Sequence, residues 1–216
     1  MFFKAVVIVL FLLALEINSK PPELERYRGK VAMVTGASMG IGFATTIALL
    51  QAGIDVVGVA RRGGYEQSIT RALPIENSDN FGKFYPVQCD ITDEKKLLEI
   101  FRWIDAKLGG VSIMINNAGV IERATLIGGE SAAWRKVWEL NVLALTVCTK
   151  AAISSMNRHM SLNGHIIHMS SIAAYSMVTA MGHKMYNASK VAVRVLADGL
   201  RHELQLYDSK IKVSVK

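Results

Sequence analysis

The chain has 216 residues, a net charge of +7, 51% hydrophobic and 20% charged residues, enough apolar content for a sizeable core and too much for intrinsic disorder. Its basic residues are scattered (Arg61-Arg62, Lys95-Lys96, Arg135-Lys136) without a long basic run or interleaved aromatics, which excludes a dedicated nucleic-acid surface and suits an anionic cofactor. Two cysteines, Cys89 and Cys148, are too few for a disulfide framework, and neither they nor the five histidines fall at metal-ligand spacing, so no metal is expected.

Met1 to Leu15 places one positive charge before an apolar run closed by Glu16. This reads as a signal peptide or short membrane anchor over residues 1–20, with an unprocessed apolar tail as the alternative. It directs the chain to the secretory pathway or the endoplasmic reticulum membrane; without that role the location is cytoplasmic. Pro21-Pro22 marks a linker, and the folded domain is expected over 27–216.

Val31 to Thr35 is a buried strand, and Gly36-Ala37-Ser38-Met39-Gly40-Ile41-Gly42 leads directly into a helical pattern from Ile41 to about Ala52. Strand, glycine-rich turn and helix together form a phosphate site. Glycines admit a pyrophosphate close to the backbone, and the helix start offers unpaired N–H groups and partial positive charge. Ile54 to Ala60 is the second strand. It ends in Arg61-Arg62 where an NAD-selective site carries an acid for the ribose 2′-hydroxyl; two guanidinium groups suit a 2′-phosphate instead. The cofactor expected is therefore NADP.

A short helix is predicted over Glu66 to Ala72 and a third strand over Phe84 to Cys89. Asp90, followed by Ile91, closes the strand, positioned for an adenine amino group. Thr92 or Asp93 caps a helix to about Leu108, whose apolar face is Leu97, Leu98, Phe101, Ile104 and Leu108. Val111 to Ile115 is the fourth strand. Asn116-Asn117-Ala118-Gly119 ends it, combining close approach to a cofactor with amides able to tie strands together. Ser131 to about Met160 is one long helix with an interruption. Asn141 in its apolar middle either caps a local kink or serves a site. Gly164 to Met169 is the fifth strand, carrying His165 and His168 on opposite faces as structural residues, and Ser170-Ser171 ends it. A loop from Ile172 to Lys184 precedes Tyr186, a helix runs on to about Tyr207, and Lys210 to Val215 is a sixth strand.

Tyr186 and Lys190 stand four apart on that helix, one above the other. A free phenol has a pKa of about 10 and is a poor acid or base at neutral pH; a fixed ammonium one turn away favours the phenolate and makes a usable general acid/base. Strands alternating with helices throughout define an α/β fold, a Rossmann-type doubly wound parallel sheet with helices on both faces.

Thr35-Gly36-x-x-x-Gly40-Ile41-Gly42, Asn116-Asn117-Ala118-Gly119, Asn141, Ser171 and Tyr186-x-x-x-Lys190, in this order and spacing, resemble the classical short-chain dehydrogenase/reductase family from about Tyr27 to Val215. Glu25 to Lys30, Ala60-Arg61 and the fifteen-residue step from Ser171 to Tyr186 are similar to its NADP-dependent branch, which includes insect farnesol dehydrogenases. The resemblance implies an alcohol–carbonyl oxidoreductase acting on a small, apolar substrate of isoprenoid, retinoid or steroid type. Tyr186 exchanges a proton with the substrate oxygen. Lys190 holds the nicotinamide ribose and favours the Tyr186 phenolate. Ser171 bonds the substrate oxygen, and Asn141 holds a water in the proton relay. Gly36, Ser38, Met39, Gly40, Ile41, Gly42, Arg61, Arg62, Asp90, Ile91, Asn117, Ala118, Gly119, Tyr186 and Lys190 line the cofactor. The family continues beyond the sixth strand with a Pro-Gly turn, a substrate-covering segment and a seventh strand, so the expectation is a truncated domain whose last strand and substrate segment are missing. A cofactor-binding but inactive protein with a regulatory role is the alternative. Relatives are usually homo-oligomers. Asn187-Ala188-Ser189 is also a glycosylation sequon, lying between the two catalytic side chains.

Overall fold

The computed structural model describes residues 22–74, 78–160, 164–175 and 182–216. The expected leader over 1–20 and the middle of the loop before Tyr186, residues 176–181, lie outside the described residues.

Six strands form one sheet: β1 (Val31–Thr35), β2 (Asp55–Ala60), β3 (Phe84–Gln88), β4 (Ile113–Asn116), β5 (His165–His168) and β6 (Lys212–Val215). Every pairing is parallel and the spatial order is β3-β2-β1-β4-β5-β6. A helix follows each of the first three strands: α2 (Gly40–Gln51), α3 (Glu66–Ala72) and α4 (Glu94–Leu108), after a short α1 at Pro22–Glu25. Between β4 and β5 run α5 (Ser131–Trp138), a π-helical segment (Glu139–Ala144) and α6 (Leu145–Arg158); α7 (Lys184–Leu206) precedes β6.

All five residues of β1 are buried, because this strand is covered on both faces. Adjacent residues serve opposite layers. Val31 and Met33 pack with Met114, Leu97, Phe101, Ile104, Cys148 and Met156; Ala32 and Val34 pack with Ile113, Ile115, Leu50, Ile54 and Ile69. The predicted stripe on α4 is buried at Leu97, Phe101 and Ile104. Asp93 rather than Thr92 caps that helix, its carboxylate accepting from the Lys96 N–H at 3.2 Å. Thr92 is instead engaged by Asp90. Gly109, at φ +79°, ends the helix in the left-handed region. Pro86 lies in edge strand β3, where its missing N–H interrupts the outer row of donors.

The long helix predicted over 131–160 is interrupted where its sequence is oddest. The π turn spans Asn141, and Asn141 is 1% exposed. A π turn inserts one extra residue into the helical ladder, which aims local groups differently from a straight helix. His168 is buried, its Nδ1 3.1 Å from the Asn116 amide, and burial pushes its pKa down to about 4, so it serves the fold as a neutral ring. Burial pushes the Cys148 thiol up to about 12, and both cysteines are free.

Order reverses between β2 and β4 on either side of β1. The crevice outside the carboxyl ends of β1 and β4 is therefore where ligands bind in open α/β sheets. Gly36 follows the first of these strands and Asn117 the second.

Candidate active site

The glycine turn is built by steric necessity. Gly36 and Gly40 have φ of +71° and +59°, in the left-handed region that glycine enters freely. Gly42 has an ordinary backbone but no room: a Cβ there would lie 2.3 Å from the Gly36 carbonyl oxygen and 2.4 Å from Asn117 Nδ2. That Asn117 amide donates to the Thr35 carbonyl at 2.8 Å and the Gly36 carbonyl at 3.3 Å, pinning the end of β4 to the turn after β1. Thr35 completes the joint. Its hydroxyl accepts from the Asn117 and Ala118 N–H groups, both at 3.1 Å, and donates to the Ile115 carbonyl at 3.3 Å.

Met39 enters α2 in extended conformation, and no side chain caps the helix start. Its first N–H groups are therefore left for a ligand anion. Ser38 is half-buried at this end, with Met39 and Ile41 exposed beside it. Arg61 and Arg62 follow β2, both exposed, and among the described residues neither has a carboxylate partner. Arg62 Nη2 contacts Met39 Sδ at 2.8 Å, which brings its guanidinium to the glycine turn. Asp90, after β3, is exposed and held by its own turn: Oδ1 accepts from the Thr92 N–H and hydroxyl at 3.1 and 2.8 Å, with Ile91 buried beside it.

The second half of the site gathers side chains from distant parts of the chain. A Cβ on Gly119 would lie 3.3 Å from Asn141 Oδ1 and 3.8 Å from Lys190 Nζ, so the loop after β4 passes directly beside both. Asn141 Oδ1 accepts from the Val120 N–H at 2.8 Å; its Nδ2 donates to the Val120 carbonyl at 3.0 Å and to Ser189 Oγ at 3.1 Å. Ser189 donates in turn to the Tyr186 carbonyl at 2.7 Å. Asn141 thus lies in the helix irregularity without capping it, and its amide ties the loop after β4 to α7. Spent this way, the side-chain amide has no N–H left for a water.

Lys190 is 6% exposed, donates to the Met169 carbonyl at 2.6 Å, and holds its ammonium 5.7 Å from the centre of the Tyr186 ring. Burial pulls its pKa down to about 8. Tyr186 itself is partly exposed. Ser171 Oγ accepts from the Ala173 N–H at 3.1 Å and opens a 3₁₀ turn, Ile172–Ala174, that packs against α7. Asn187 at 9% exposure and Ser189 are buried, while Ala188 between them is exposed, so the sequon's acceptor and hydroxyl residues face the interior of the domain.

The structure thus brings together Gly36, Gly42, Asn117, Ala118, Gly119, Asn141, Tyr186 and Lys190, puts Ser171 in a turn against the same helix, and sets Arg62 beside the glycine turn. Sequence reasoning gave Thr35 no anchoring role and passed over Val120 and Ser189. Their contribution runs through pairings across 82, 21 and 48 positions, which no local pattern reveals. A groove lined by Tyr85, Val87, Ile100 and Trp103 on the outer edge contains none of these groups.

Residues 30–215 match the family model described as short chain dehydrogenase. The chain is 36% identical over 192 residues to a farnesol dehydrogenase of Aedes aegypti, covering 88% of this chain and 77% of that protein. It is 37% identical over 193 residues to dehydrogenase/reductase SDR family member 11 of Homo sapiens, covering 89% and 74%. Among solved structures, a metagenomic short-chain oxidoreductase in complex with NADP superposes with a TM-score of 0.76 at 28% identity, covering 87% of this chain and 81% of the other.

Proposed function

Because the chain belongs to the short chain dehydrogenase family, a family of oxidoreductases that interconvert alcohols and carbonyls, we propose that it works with NADP(H) on an apolar alcohol or ketone. The observation that carries this reading is the Lys190 ammonium lying 5.7 Å from the Tyr186 ring, beside a loop pinned to the glycine turn.

The residues present fit the cofactor. An uncapped helix start, a glycine turn with open space at Gly40, and two guanidinium groups with no carboxylate partner among the described residues suit a pyrophosphate and a 2′-phosphate. Gly36, Ser38, Met39, Gly40, Ile41 and Gly42 would hold the pyrophosphate, Arg61 and Arg62 the 2′-phosphate, and Asp90 and Ile91 the adenine. Asn117, Ala118 and Gly119 would line the path to the nicotinamide ribose, held by Tyr186 and Lys190. NADP, when bound, accepts or supplies the hydride. The solved relative bound to NADP supports this choice.

The protein's own task is the proton. In oxidation the Tyr186 phenolate takes the proton of the substrate hydroxyl and becomes the phenol; in reduction the phenol returns it, while Ser171 Oγ holds the same oxygen. Lys190 supplies positive charge that favours the phenolate. Asn141 keeps α7 docked on the Val120 loop, and with its side-chain amide engaged, any relay water falls to its backbone. Exposed Ile121, Ile172 and Tyr175 beside the carboxyl ends of β4 and β5 suit an apolar substrate, as does the likeness to a farnesol dehydrogenase. Exposed Leu143, Val191 and Val195, on the π segment and α7, suit pairing with a second copy. The apolar start at Met1 to Leu15 is proposed to direct the chain to the endoplasmic reticulum membrane, which fractionation with and without those residues tests.

The deciding experiment measures NADPH formation from NADP⁺ and a panel of isoprenoid, retinoid and steroid alcohols, for the native chain and Tyr186→Phe. Turnover that disappears in the variant while NADPH binding persists supports the reading. Binding without turnover in the native chain would replace it with a regulatory nucleotide-binding role.

A further inference from the structure

The turn that carries Arg61 and Arg62 runs from the end of β2 to Tyr65, just before α3. It contains Gly63 and Gly64, the latter at φ +76°, so on sequence alone its backbone has wide freedom. Arginines on a loose turn would have to be ordered at the moment a phosphate arrives, with a loss of affinity. The structure instead fastens the turn at both ends.

At its start, Gln88 on edge strand β3 reaches across. Its Nε2 donates to the Arg61 carbonyl at 3.1 Å, and a Cβ on Gly63 would lie 2.9 Å from its Oε1, so the amide lies flat against the turn. At its far end, Tyr65 folds back under β2. Its ring is 6% exposed and packs edge-on against Phe84 with centroids 6.0 Å apart, and its hydroxyl donates to the Gly58 carbonyl. Gly58 makes room for this arrangement, since a Cβ there would lie 2.7 Å from Phe84 Cε2. Between these fixed ends both arginines remain exposed and, among the described residues, without a carboxylate partner, with Arg62 against Met39 of the glycine turn.

We propose that Tyr65 and Gln88 are positioning residues for recognition of the cofactor's 2′-phosphate, acting through Arg61 and Arg62. This rests on the NADP reading above. Neither residue reaches the phosphate; they hold the backbone from which the guanidinium groups extend, so their effect falls on NADPH and spares NADH. A brace that served only the fold would lower the melting temperature and weaken both cofactors alike.

The test titrates NADPH and NADH into the full chain by fluorescence for the native protein, Tyr65→Phe, Gln88→Leu and the double variant Arg61→Ala/Arg62→Ala, with melting curves for each. Tyr65→Phe and Gln88→Leu are each expected to lower the ratio of the NADH to the NADPH dissociation constant by about 3- to 10-fold. The double arginine variant is expected to lower it further. If the arginine variant lowers the ratio while Tyr65→Phe and Gln88→Leu leave it at the native value, the positioning role is overturned and the NADP reading stands. If the arginine variant also leaves it unchanged, the 2′-phosphate assignment falls, and the positioning role with it.

Discussion

The two halves of the site are made of different materials. On the β1–β2 side the working surface is backbone, with glycines in the left-handed region, a helix start left uncapped, and Gly42 packed where a Cβ would lie 2.3 Å from the Gly36 carbonyl oxygen. Its parts lie in a short span, from Thr35 to Arg62. On the β4–β6 side the working surface is side chains, those of Asn141, Ser171, Tyr186 and Lys190, held to the Val120 and Met169 backbone and to Ser189 by hydrogen bonds across 21 to 48 positions. A site made of backbone binds by shape and dipole, whereas one made of side chains adds groups that can exchange a proton. The division predicts that damage on the first side appears in cofactor affinity and damage on the second in turnover.

The largest expected effect is at Tyr186. Removing its hydroxyl as Tyr186→Phe should lower kcat by about 10²- to 10⁴-fold, the range for losing a general acid/base, while NADPH affinity measured by fluorescence falls by no more than the roughly 2- to 10-fold of one lost ribose hydrogen bond. A parallel loss of affinity would break the division. On the other side, Arg61→Ala/Arg62→Ala should weaken NADPH by about 10- to 100-fold with kcat at saturating cofactor retained, since charge-assisted bonds made at an exposed surface contribute about 1.5–3 kcal/mol together. Gly42→Ala forces a methyl into the Gly36 carbonyl and the Asn117 amide; overpacking of about 1–3 kcal/mol should weaken NADPH and NADH together by about 10-fold, read by the same titration.

The smallest effect sharpens the catalytic half through pH. Burial holds Lys190 at about 8 in the folded chain, below its ordinary 10.5. Between those values the unfolded chain keeps the proton and the folded chain does not, so raising pH through this window favours the fold; below about 8 both states are charged and the fold bears the full burial penalty. Lys190→Met removes this dependence. Its melting temperature relative to native should therefore be highest near neutrality and decline between pH 8 and 10.5. A flat difference would show that the buried ammonium is not under strain.

The same contrast explains what could be read from sequence. Strand, Gly-rich turn, helix and Arg pair are neighbours in the chain, so their periodicity and glycine spacing announce a phosphate site directly. The helix over Glu66–Ala72 and the stripe of α4 are legible for the same reason. In the catalytic half the Tyr186/Lys190 pair was legible from helical spacing, while the roles of Ser171 and Asn141 came only from motifs resembling a known family. Asn141 looked anomalous without revealing that its amide bonds Val120 and Ser189. Gln88 and Tyr65 gave no signal, because one is a polar residue on an edge strand and the other an aromatic before a short helix, and their partners lie 27 and 7 positions away across the sheet.

The burial of Asn187, with Ser189 of the same tripeptide committed to Asn141 and Tyr186, reaches past catalysis into how the chain matures. An oligosaccharide needs that amide in solvent, and helix docking removes it from solvent. A molecule carrying sugar at Asn187 is therefore one that failed to close before the transferase met it. In a lumen, glycan occupancy at this position would mark copies modified before α7 docked.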